Sequence, residues 1–91
     1  MWEVVDPDGR RVVLHFGGWR HIAENHPELA RHRLALLAVV AEPHERVGGR
    51  YAGEEWFYRR GFGPSRLVKV VVHYEGDEGR IVTAFPRRRF P

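Results

Sequence analysis

The segment Arg66–Tyr74, RLVKVVVHY, is the most strongly β-branched stretch of the chain and constrains its fold more than any other feature. Branched side chains favour strands because they pack well on a pleated surface. Two further strand-like segments, Gly53–Arg60 and Arg80–Phe85, flank it across glycine-containing turns, and a weaker one covers Glu45–Tyr51. Short connections join antiparallel neighbours, so the second half of the chain predicts a four-stranded antiparallel sheet.

The beginning of the chain predicts a β-hairpin. Trp2–Asp6 and Val12–Phe16 have the composition of two short strands. Asp8-Gly9 between them supplies the backbone freedom that a tight turn requires. Two consecutive glycines then interrupt the strand pattern, and the signals that follow are helical.

Two helices are predicted next. Apolar residues recur at helical spacing from Trp19, and this first helix should end at His26, because Pro27 disfavours helical geometry in the residue before it. Proline also suits a first helical position, so a second helix is expected to start at Pro27 and to stop near Glu42. Helices packed on a four-stranded antiparallel sheet make one α+β domain over residues 1–91.

Composition excludes several kinds of site and location. The chain has no cysteine, which excludes disulfides, thiolate nucleophiles and cysteine-bound zinc. Its longest apolar run, LALLAVVA, is far shorter than the roughly 20 residues of a membrane span. The acidic N-terminal segment does not have the pattern of a signal peptide. We therefore expect a cytoplasmic protein with no membrane partner.

The charge balance favours an anionic partner. The net charge is +3, and every basic residue except Lys69 is an arginine. The planar guanidinium group of arginine suits phosphate, since it can donate two parallel hydrogen bonds. The alternative is that an arginine-rich chain with one asparagine and no glutamine reflects coding bias or a thermophile-like composition.

The few reactive side chains narrow the chemistry by elimination. Hydroxyl groups are confined to Ser65, Thr83 and the tyrosines, and no histidine lies near Ser65 in sequence, which disfavours a serine triad. The acidic residues are scattered, unlike the clusters that hold two magnesium ions. His21 and His26 lie about 140° apart around a helix, which disfavours a zinc pair. No metal and no cofactor are predicted.

The remaining side chains suit metal-independent cleavage of RNA. RNA carries its own nucleophile, the 2′-hydroxyl, so the protein need supply only an acid, a base and groups that stabilise the phosphate in the transition state. Histidine titrates near neutral pH without perturbation. The prediction is an endoribonuclease that leaves a cyclic phosphate, with RNA as its partner.

The histidine pair supplies the candidate acid and base. His21 projects away from the apolar face that Trp19 and Ile22 form, so it is the leading acid/base residue. His26 falls on that apolar face. It is either the partner of His21 or a residue that caps or packs the second helix, and both interpretations stay open.

Candidate phosphate-binding residues lie on the predicted strands. Lys69 is embedded in an apolar strand, which indicates a groove, although a charge that protects an edge strand is the alternative. Arg59 and Arg60 point to opposite faces, so at most one shares a groove with Lys69. Arg59 is the arginine expected to hold the phosphate together with Lys69. Thr83 would donate a hydrogen bond to the phosphate, but β-branching alone also explains a threonine there. The basic tail Pro86–Pro91 is either a backbone-binding arm or a solvated terminus.

Together these segments resemble a known family, the small phage-type members of the barnase–EndoU–colicin–RelE ribonuclease superfamily. In those proteins a tryptophan–x–histidine–isoleucine helix precedes a histidine–proline–glutamate motif, and the last strand carries threonine–alanine–phenylalanine. The resemblance covers about Val12 to Phe85. It is carried by WRHIAENHPEL, the proline of AEP, EEWFYRR, LVKVVVHY and GRIVTAF.

The resemblance implies helices packed on a four-stranded antiparallel sheet, with the active groove on the sheet. It also implies metal-independent endoribonuclease activity, often in toxin or phage settings. By position, the helix histidine is His21 and the motif histidine is His26. The basic residue that closes the aromatic strand is Arg59 or Arg60, and the last-strand hydroxyl is Thr83. A toxic nuclease of this kind would require a cognate inhibitor protein or confinement.

Two other functions fit the same sequence. A non-catalytic RNA-binding or protein-interaction module could use the basic sheet face, with Trp56, Phe57, Tyr58 or Tyr74 stacking on bases. Core packing is the alternative role of each ring that faces the helices. A structural protein whose basic balance reflects coding bias would not bind RNA at moderate salt.

Overall fold

The computed structural model describes residues 1–61 and 67–90. Ser65, Arg66 at the start of the predicted central strand, and Pro91 at the end of the basic tail lie outside the described residues. The elements in chain order are β1 (Trp2–Val5), β2 (Arg11–Leu14), α1 (Phe16–Asn25), a 3₁₀ helix (Pro27–Leu29), α2 (Arg33–Ala41), β3 (Glu45–Gly48), β4 (Glu54–Arg60), β5 (Leu67–Glu75) and β6 (Glu78–Arg87).

One mixed sheet contains the six strands of the described residues, in the order β1-β2-β6-β5-β4-β3. The α+β class is confirmed, and β1 and β2 form the expected antiparallel hairpin. The four strands β3 to β6 pair antiparallel, as predicted. The sheet as a whole is not four-stranded and antiparallel, because the hairpin joins it and β2 pairs in parallel with β6, Arg11–Val13 against Glu78–Arg80. The hairpin thereby satisfies backbone groups that β6 would otherwise leave unpaired. Pairing between such distant segments has no local signal in the sequence.

The first helix is longer than predicted at its beginning. It starts at Phe16 rather than at Trp19, so the two glycines are helical and do not precede the helix. It ends at Asn25, and His26 is its C-terminal cap, as the proline after it predicts. None of the helices in the described part of the chain is long and apolar enough to cross a membrane.

The predicted second helix is divided into two parts. Pro27–Leu29 forms a 3₁₀ turn, and α2 starts only at Arg33. Within the turn the backbone N–H of Leu29 donates to the carbonyl of His26, and that of His32 donates to Leu29. These bonds span three residues instead of four, which is the tighter geometry of a 3₁₀ helix. The sequence predicted that helical structure starts at Pro27. It did not predict that the first turn is a separate 3₁₀ helix.

The hydrophobic core lies between α2 and one face of the sheet. On β5, Val68, Val70 and Val72 are fully buried in it. They pack with fully buried side chains of α2: Leu36, Val39 and Val40. Alternation along the strand therefore places Lys69 and Val71 on the opposite face.

A β-bulge in β6 changes which residues face the core. Thr83 lies opposite Val71 on β5. The next pair is Ile81 with Val72, so Val82 is an extra residue without a partner. A bulge of this kind shifts the alternation of side chains by one position. Thr83 consequently lies on the face away from α2.

A paired charge cluster joins the hairpin to β3, β4 and β5. We call it the Asp6 network, and it comprises Asp6, Asp8, Arg10, Arg46, Glu55 and Tyr74. Asp6 is nearly fully buried. One carboxylate oxygen accepts the backbone N–H groups of Asp8 and Arg10, each at 2.9 Å. The other accepts the Tyr74 hydroxyl at 2.7 Å and Nε of Arg10 at 3.1 Å.

The hydrogen bonds of Asp6 decide its protonation state. Burial alone would raise the pKa of its carboxyl group, but the bonds from Tyr74 and from two backbone N–H groups outweigh it, so the pKa is lowered. Burial and the bond to Asp6 raise the pKa of Tyr74. The Arg10 guanidinium lies 3.7 Å from the centre of the Tyr74 ring and also binds Glu55 at 2.9 Å. Every charge of this cluster thus has a partner.

Candidate functional site

Lys69 lies within a cage of aromatic side chains on the face of the sheet away from α2. Its Nζ atom is 3.3 Å from the centre of the Trp56 ring, 5.4 Å from that of Phe85 and 5.8 Å from that of Tyr58. The sheet register explains this placement, since Tyr58 on β4 and Phe85 on β6 are the direct cross-strand partners of Lys69. The negative faces of such rings attract a cation.

The indole of Trp56 is held in place by a neighbouring side chain. Its Nε1–H donates to Oε1 of Glu54 at 2.8 Å. The same carboxylate oxygen accepts the backbone N–H of Arg50 at 3.1 Å. The ring that lies closest to the Lys69 amine is therefore fixed before any ligand binds.

Among the described residues, no carboxylate directly contacts the Lys69 amine. Lys69 is only 7% exposed, and its described contacts are to aromatic rings rather than to an ion-pair partner. Burial lowers the pKa of the Lys69 amine, and the charges of Arg87 and Arg50 lower it further, while Glu54 acts in the opposite direction. A bound anion would supply the counter-charge that the described residues do not.

Thr83 and Phe85 extend this surface on β6. Both lie on the side of Lys69 because of the bulge, and both are half-buried. We call the surface formed by Trp56, Lys69, Thr83 and Phe85 the Lys69 face. It combines an amine, a hydroxyl and two aromatic rings within three adjacent strands.

His26 reaches the edge of the Lys69 face through Phe85. The centres of the His26 and Phe85 rings are 6.1 Å apart, and the planes are tilted by 34°. The side chain of His26 is about one-third exposed, and its Nδ1 lies 3.8 Å from a carboxylate oxygen of Glu28. Phe85 is also the ring whose centre lies 5.4 Å from the Lys69 amine, so the imidazole and the amine neighbour the same ring.

His21 lies on the exposed side of α1. Its Nδ1 is 3.1 Å from Nδ2 of Asn25, whose amide also donates to the His21 carbonyl at 2.8 Å. The described contacts of His21 are thus within its own helix, and none joins it to Phe85 or Lys69. Its role as the leading acid/base residue stays a prediction.

The two arginines at the end of β4 lie on opposite faces, as alternation predicts. Arg59 is on the side of α2, where its guanidinium donates to the backbone carbonyl of Glu42 at the end of that helix. A cation at a helix C-terminus stabilises it. Arg60 lies on the side of Lys69, with its guanidinium 3.1 Å from Glu45 and its backbone N–H donating to Nδ1 of His44. Arg60 is therefore the arginine that shares a face with Lys69.

The aromatic residues proposed for base stacking are divided between the two faces. Phe57 and Tyr74 belong to the core beneath α2, so packing is their role. Tyr58 lies on the side of Lys69 but is fully buried, and Trp56 is half-buried.

Sequence reasoning missed Phe85 as a site residue. The signal was present, because Phe85 follows Thr83 at the two-residue spacing of one strand face.

Comparisons with protein-family models, curated proteins and solved structures found no match for this chain. Among the described residues, no group of three or more histidine, aspartate or glutamate side chains is arranged to hold a metal ion. The function must therefore be argued from the geometry of the Lys69 face and the residues around it.

Proposed function

We propose that the protein is a metal-independent endoribonuclease whose active surface is the Lys69 face with His26 at its edge. The observation that carries this proposal is the Phe85 ring, which contacts both the His26 imidazole and the Lys69 amine. An acid/base group and a cation are thereby both held next to one ring. Thr83 adds a hydroxyl donor two residues away on the same face.

In the proposed reaction, the substrate supplies the nucleophile. A base removes the proton of the 2′-hydroxyl, whose oxygen attacks the adjacent phosphorus, and an acid protonates the departing 5′-oxygen. The products are a 2′,3′-cyclic phosphate and a free 5′-hydroxyl. His26 takes one of the two proton-transfer roles, and His21 is the candidate for the other.

Lys69, Thr83 and Arg60 act on the phosphate. Negative charge grows on its non-bridging oxygens in the transition state, and groups fixed in advance stabilise that charge most effectively. The Lys69 amine suits this role because it is held by three rings and has no carboxylate partner among the described residues. Arg59 is assigned to the end of α2 instead.

We also propose that the chain is a divergent member of the barnase–EndoU–colicin–RelE superfamily. The relationship is supported by the helix that carries His21 and is capped by His26, and by the three antiparallel strands that carry Arg60, Lys69 and Thr83. The added hairpin and the mixed sheet depart from the four-stranded pattern. A cognate inhibitor protein stays a prediction of the same hypothesis.

The first experiment is cleavage of a fluorescent mixed-sequence RNA in excess chelator. We expect wild-type protein to produce fragments with cyclic phosphate ends, and His26→Ala to lose about 100-fold or more of the rate, the usual scale of acid–base catalysis. His15→Ala is the matched control, because His15 precedes α1, is exposed and makes no side-chain capping bond. If His15→Ala and His26→Ala have equal rates, His26 is not catalytic.

The same assay compares the contributions of His21 and His26 to the cleavage rate and tests the role of the Thr83 hydroxyl. His21→Ala should lose at least as much rate as His26→Ala if His21 leads, and only a few-fold if its role is confined to α1. Thr83→Val keeps the branched shape and removes the hydroxyl, so a loss of about tenfold would reflect one hydrogen bond in the transition state. Unchanged melting temperatures show that such losses are not due to unfolding.

RNA binding without cleavage is the second candidate function. It is favoured by Trp56, a half-buried ring that is held next to the Lys69 amine, because a ring beside a cation suits a stacked base and its phosphate. Salt-sensitive binding that leaves the RNA intact over a range of pH would select this function. In that case Trp56→Ala should weaken binding, and His26→Ala should not.

A further inference from the structure

A basic cavity lies beside the Lys69 face, where the chain continues after β6. It has a volume of about 440 Å³ and is lined by Arg60, Leu67, Arg88, Arg89 and Phe90. The three residues that carry the proposed function, His26, Phe85 and Lys69, do not line this cavity. The strand register joins the cavity to the Lys69 face, because the pair of Arg60 with Leu67 lies two positions along from the pair of Tyr58 with Lys69 and therefore on the same face.

Phe90 covers Tyr58 within this region. The centres of the two rings are 4.8 Å apart, and their planes are nearly perpendicular at 80°. Tyr58 is fully buried, and its hydroxyl has no hydrogen-bond partner among the described residues. Buried hydroxyl groups in proteins nearly always have a partner. Tyr58 is thus an aromatic ring with an unused hydroxyl, hidden beneath a residue near the end of the described chain.

The positive charge of the cavity is only partly neutralised. Arg60 binds Glu45 at 3.1 Å. Arg88 and Arg89 are exposed and make no ion pair within the described part of the chain. Exposed guanidinium groups next to an aromatic ring are suited to a phosphate and the base attached to the same nucleotide.

We propose that this cavity binds the RNA nucleotide adjacent to the cleaved phosphate, with its base replacing Phe90 on the Tyr58 ring and its phosphate bound by Arg88 and Arg89. This inference rests on the proposed function. Tyr58 and Lys69 are direct cross-strand partners, with Cα atoms about 5 Å apart. A phosphate held at Lys69 therefore places the next base over Tyr58.

Phe90 then acts as an internal competitor for the base. The segment that carries it must move aside for RNA to occupy the whole site, and the Tyr58 hydroxyl becomes available to the sugar or the base edge. Competition of this kind reduces the apparent affinity by the fraction of molecules in which Tyr58 is uncovered. Removal of the Phe90 ring should therefore strengthen binding, which a purely structural role of the ring does not predict.

The test uses a fluorescent single-stranded RNA whose 2′-hydroxyls are methylated, so that binding is measured without cleavage. We expect Phe90→Ala to tighten binding by roughly threefold to tenfold. Arg88→Ala and Arg89→Ala should each weaken it by a few-fold and reduce the salt slope by about 0.7. Arg31→Ala is the matched control, since Arg31 is equally exposed but lies in the turn before α2.

The outcomes separate this inference from the proposed function. If unmodified RNA is cleaved but Phe90→Ala leaves the affinity unchanged or weaker, the nucleotide site is wrong and the ribonuclease proposal stands. If RNA is not cleaved but the three variants behave as expected, the site stands as a binding site. If Phe90→Ala does not fold, equal affinities of Arg88→Ala, Arg89→Ala and Arg31→Ala overturn the site.

Discussion

Asp6 and Lys69 are the two buried charged residues of the described chain, and their surroundings are opposite. Asp6 accepts four hydrogen bonds and contacts a guanidinium group. Lys69 has three aromatic rings around it, and no carboxylate of the described residues contacts it directly. Asp6 therefore stabilises the fold, whereas Lys69 is a charge whose partner the described residues do not provide.

The difference matters because a buried charge is costly unless it is paired. A buried charge without an ion-pair partner is tolerated where a ligand of opposite charge can bind to it. Such residues are therefore concentrated in functional sites. The contrast predicts that Asp6 variants lose stability, whereas Lys69 variants lose ligand binding. The following experiments could break or sharpen it, starting with the largest effect.

Replacement of Asp6 should have the largest effect on stability. Asp6→Ala leaves the Tyr74 hydroxyl, two backbone N–H groups and the Nε–H of Arg10 without their acceptor, so the free energy of unfolding should fall by about 3 kcal/mol at pH 7. Asp8→Ala is the control, because its carboxylate is 60% exposed and should contribute less than about 1 kcal/mol. Urea unfolding of both variants gives the comparison, and equal losses would contradict it.

The stabilisation that Asp6 contributes should also depend on pH. The pKa of Asp6 is lowered on folding, so its stabilisation is fully present above the unfolded value of 3.8 and is lost as the pH falls through the folded pKa. The difference between wild type and Asp6→Ala should therefore be constant from pH 7 to about pH 5 and shrink only in stronger acid. A difference that disappears near pH 6 would exclude the carboxylate as its source.

Removal of the hydroxyl group should destabilise the protein at Tyr74 but not at Tyr58. Tyr74→Phe removes a hydrogen bond to a buried carboxylate, so it should cost about 2 kcal/mol. Tyr58→Phe removes a buried hydroxyl without a described partner, so it should not destabilise the protein and should raise the free energy of unfolding by about 1 kcal/mol. Thermal unfolding of both variants measures this. A large loss for Tyr58→Phe would show that its hydroxyl is bonded in solution.

Replacement of Lys69 should separate stability from function. Lys69→Met keeps the length of the side chain and removes a buried charge, so we expect a gain of roughly 1 kcal/mol in stability together with a loss of RNA affinity of about tenfold or more. Burial lowers the pKa of the amine, so the cost of its charge is present below the folded pKa and is relieved as the pH rises toward the unfolded value of 10.5. The stability gain should shrink over that range. A Lys69→Met protein that is less stable at pH 7 would overturn the contrast.

The arginines at the end of β4 should give the smallest effects. Arg59→Ala loses a bond to the last turn of α2 and should cost about 0.5 kcal/mol. Arg60→Ala loses only an exposed ion pair, so its stability should change less, while its affinity for RNA should fall more than that of Arg59→Ala. Unfolding and binding measurements on both variants check this order, which a reversed result would contradict.

The sequence predicted the α+β class, the hairpin, the helix end at His26 and the strands around Lys69 because each has a local signal. Proline fixes a helix end, and β-branched runs favour strands. It did not predict the parallel pairing of β2 with β6 or the bulge at Val82. Both depend on which distant backbone groups meet, and no single segment encodes that.

For the candidate site, alternation alone separated Arg59 from Arg60 but could not say which one joins Lys69. The position of α2 decided it, because the helix covers one face of the sheet and its last carbonyl binds Arg59. The aromatic cage depended on the register, which sets Tyr58 and Phe85 beside Lys69.

By itself the sequence determined the chemical inventory: one lysine, no cysteine, a histidine before a proline, and strands that alternate in face. Only the tertiary structure decided that the lysine is enclosed by rings and that His26 and Lys69 both lie next to Phe85. The physical reason is that local patterns fix which residues are available and which way they point. Burial, contact and charge pairing depend on neighbours that arrive from distant parts of the chain.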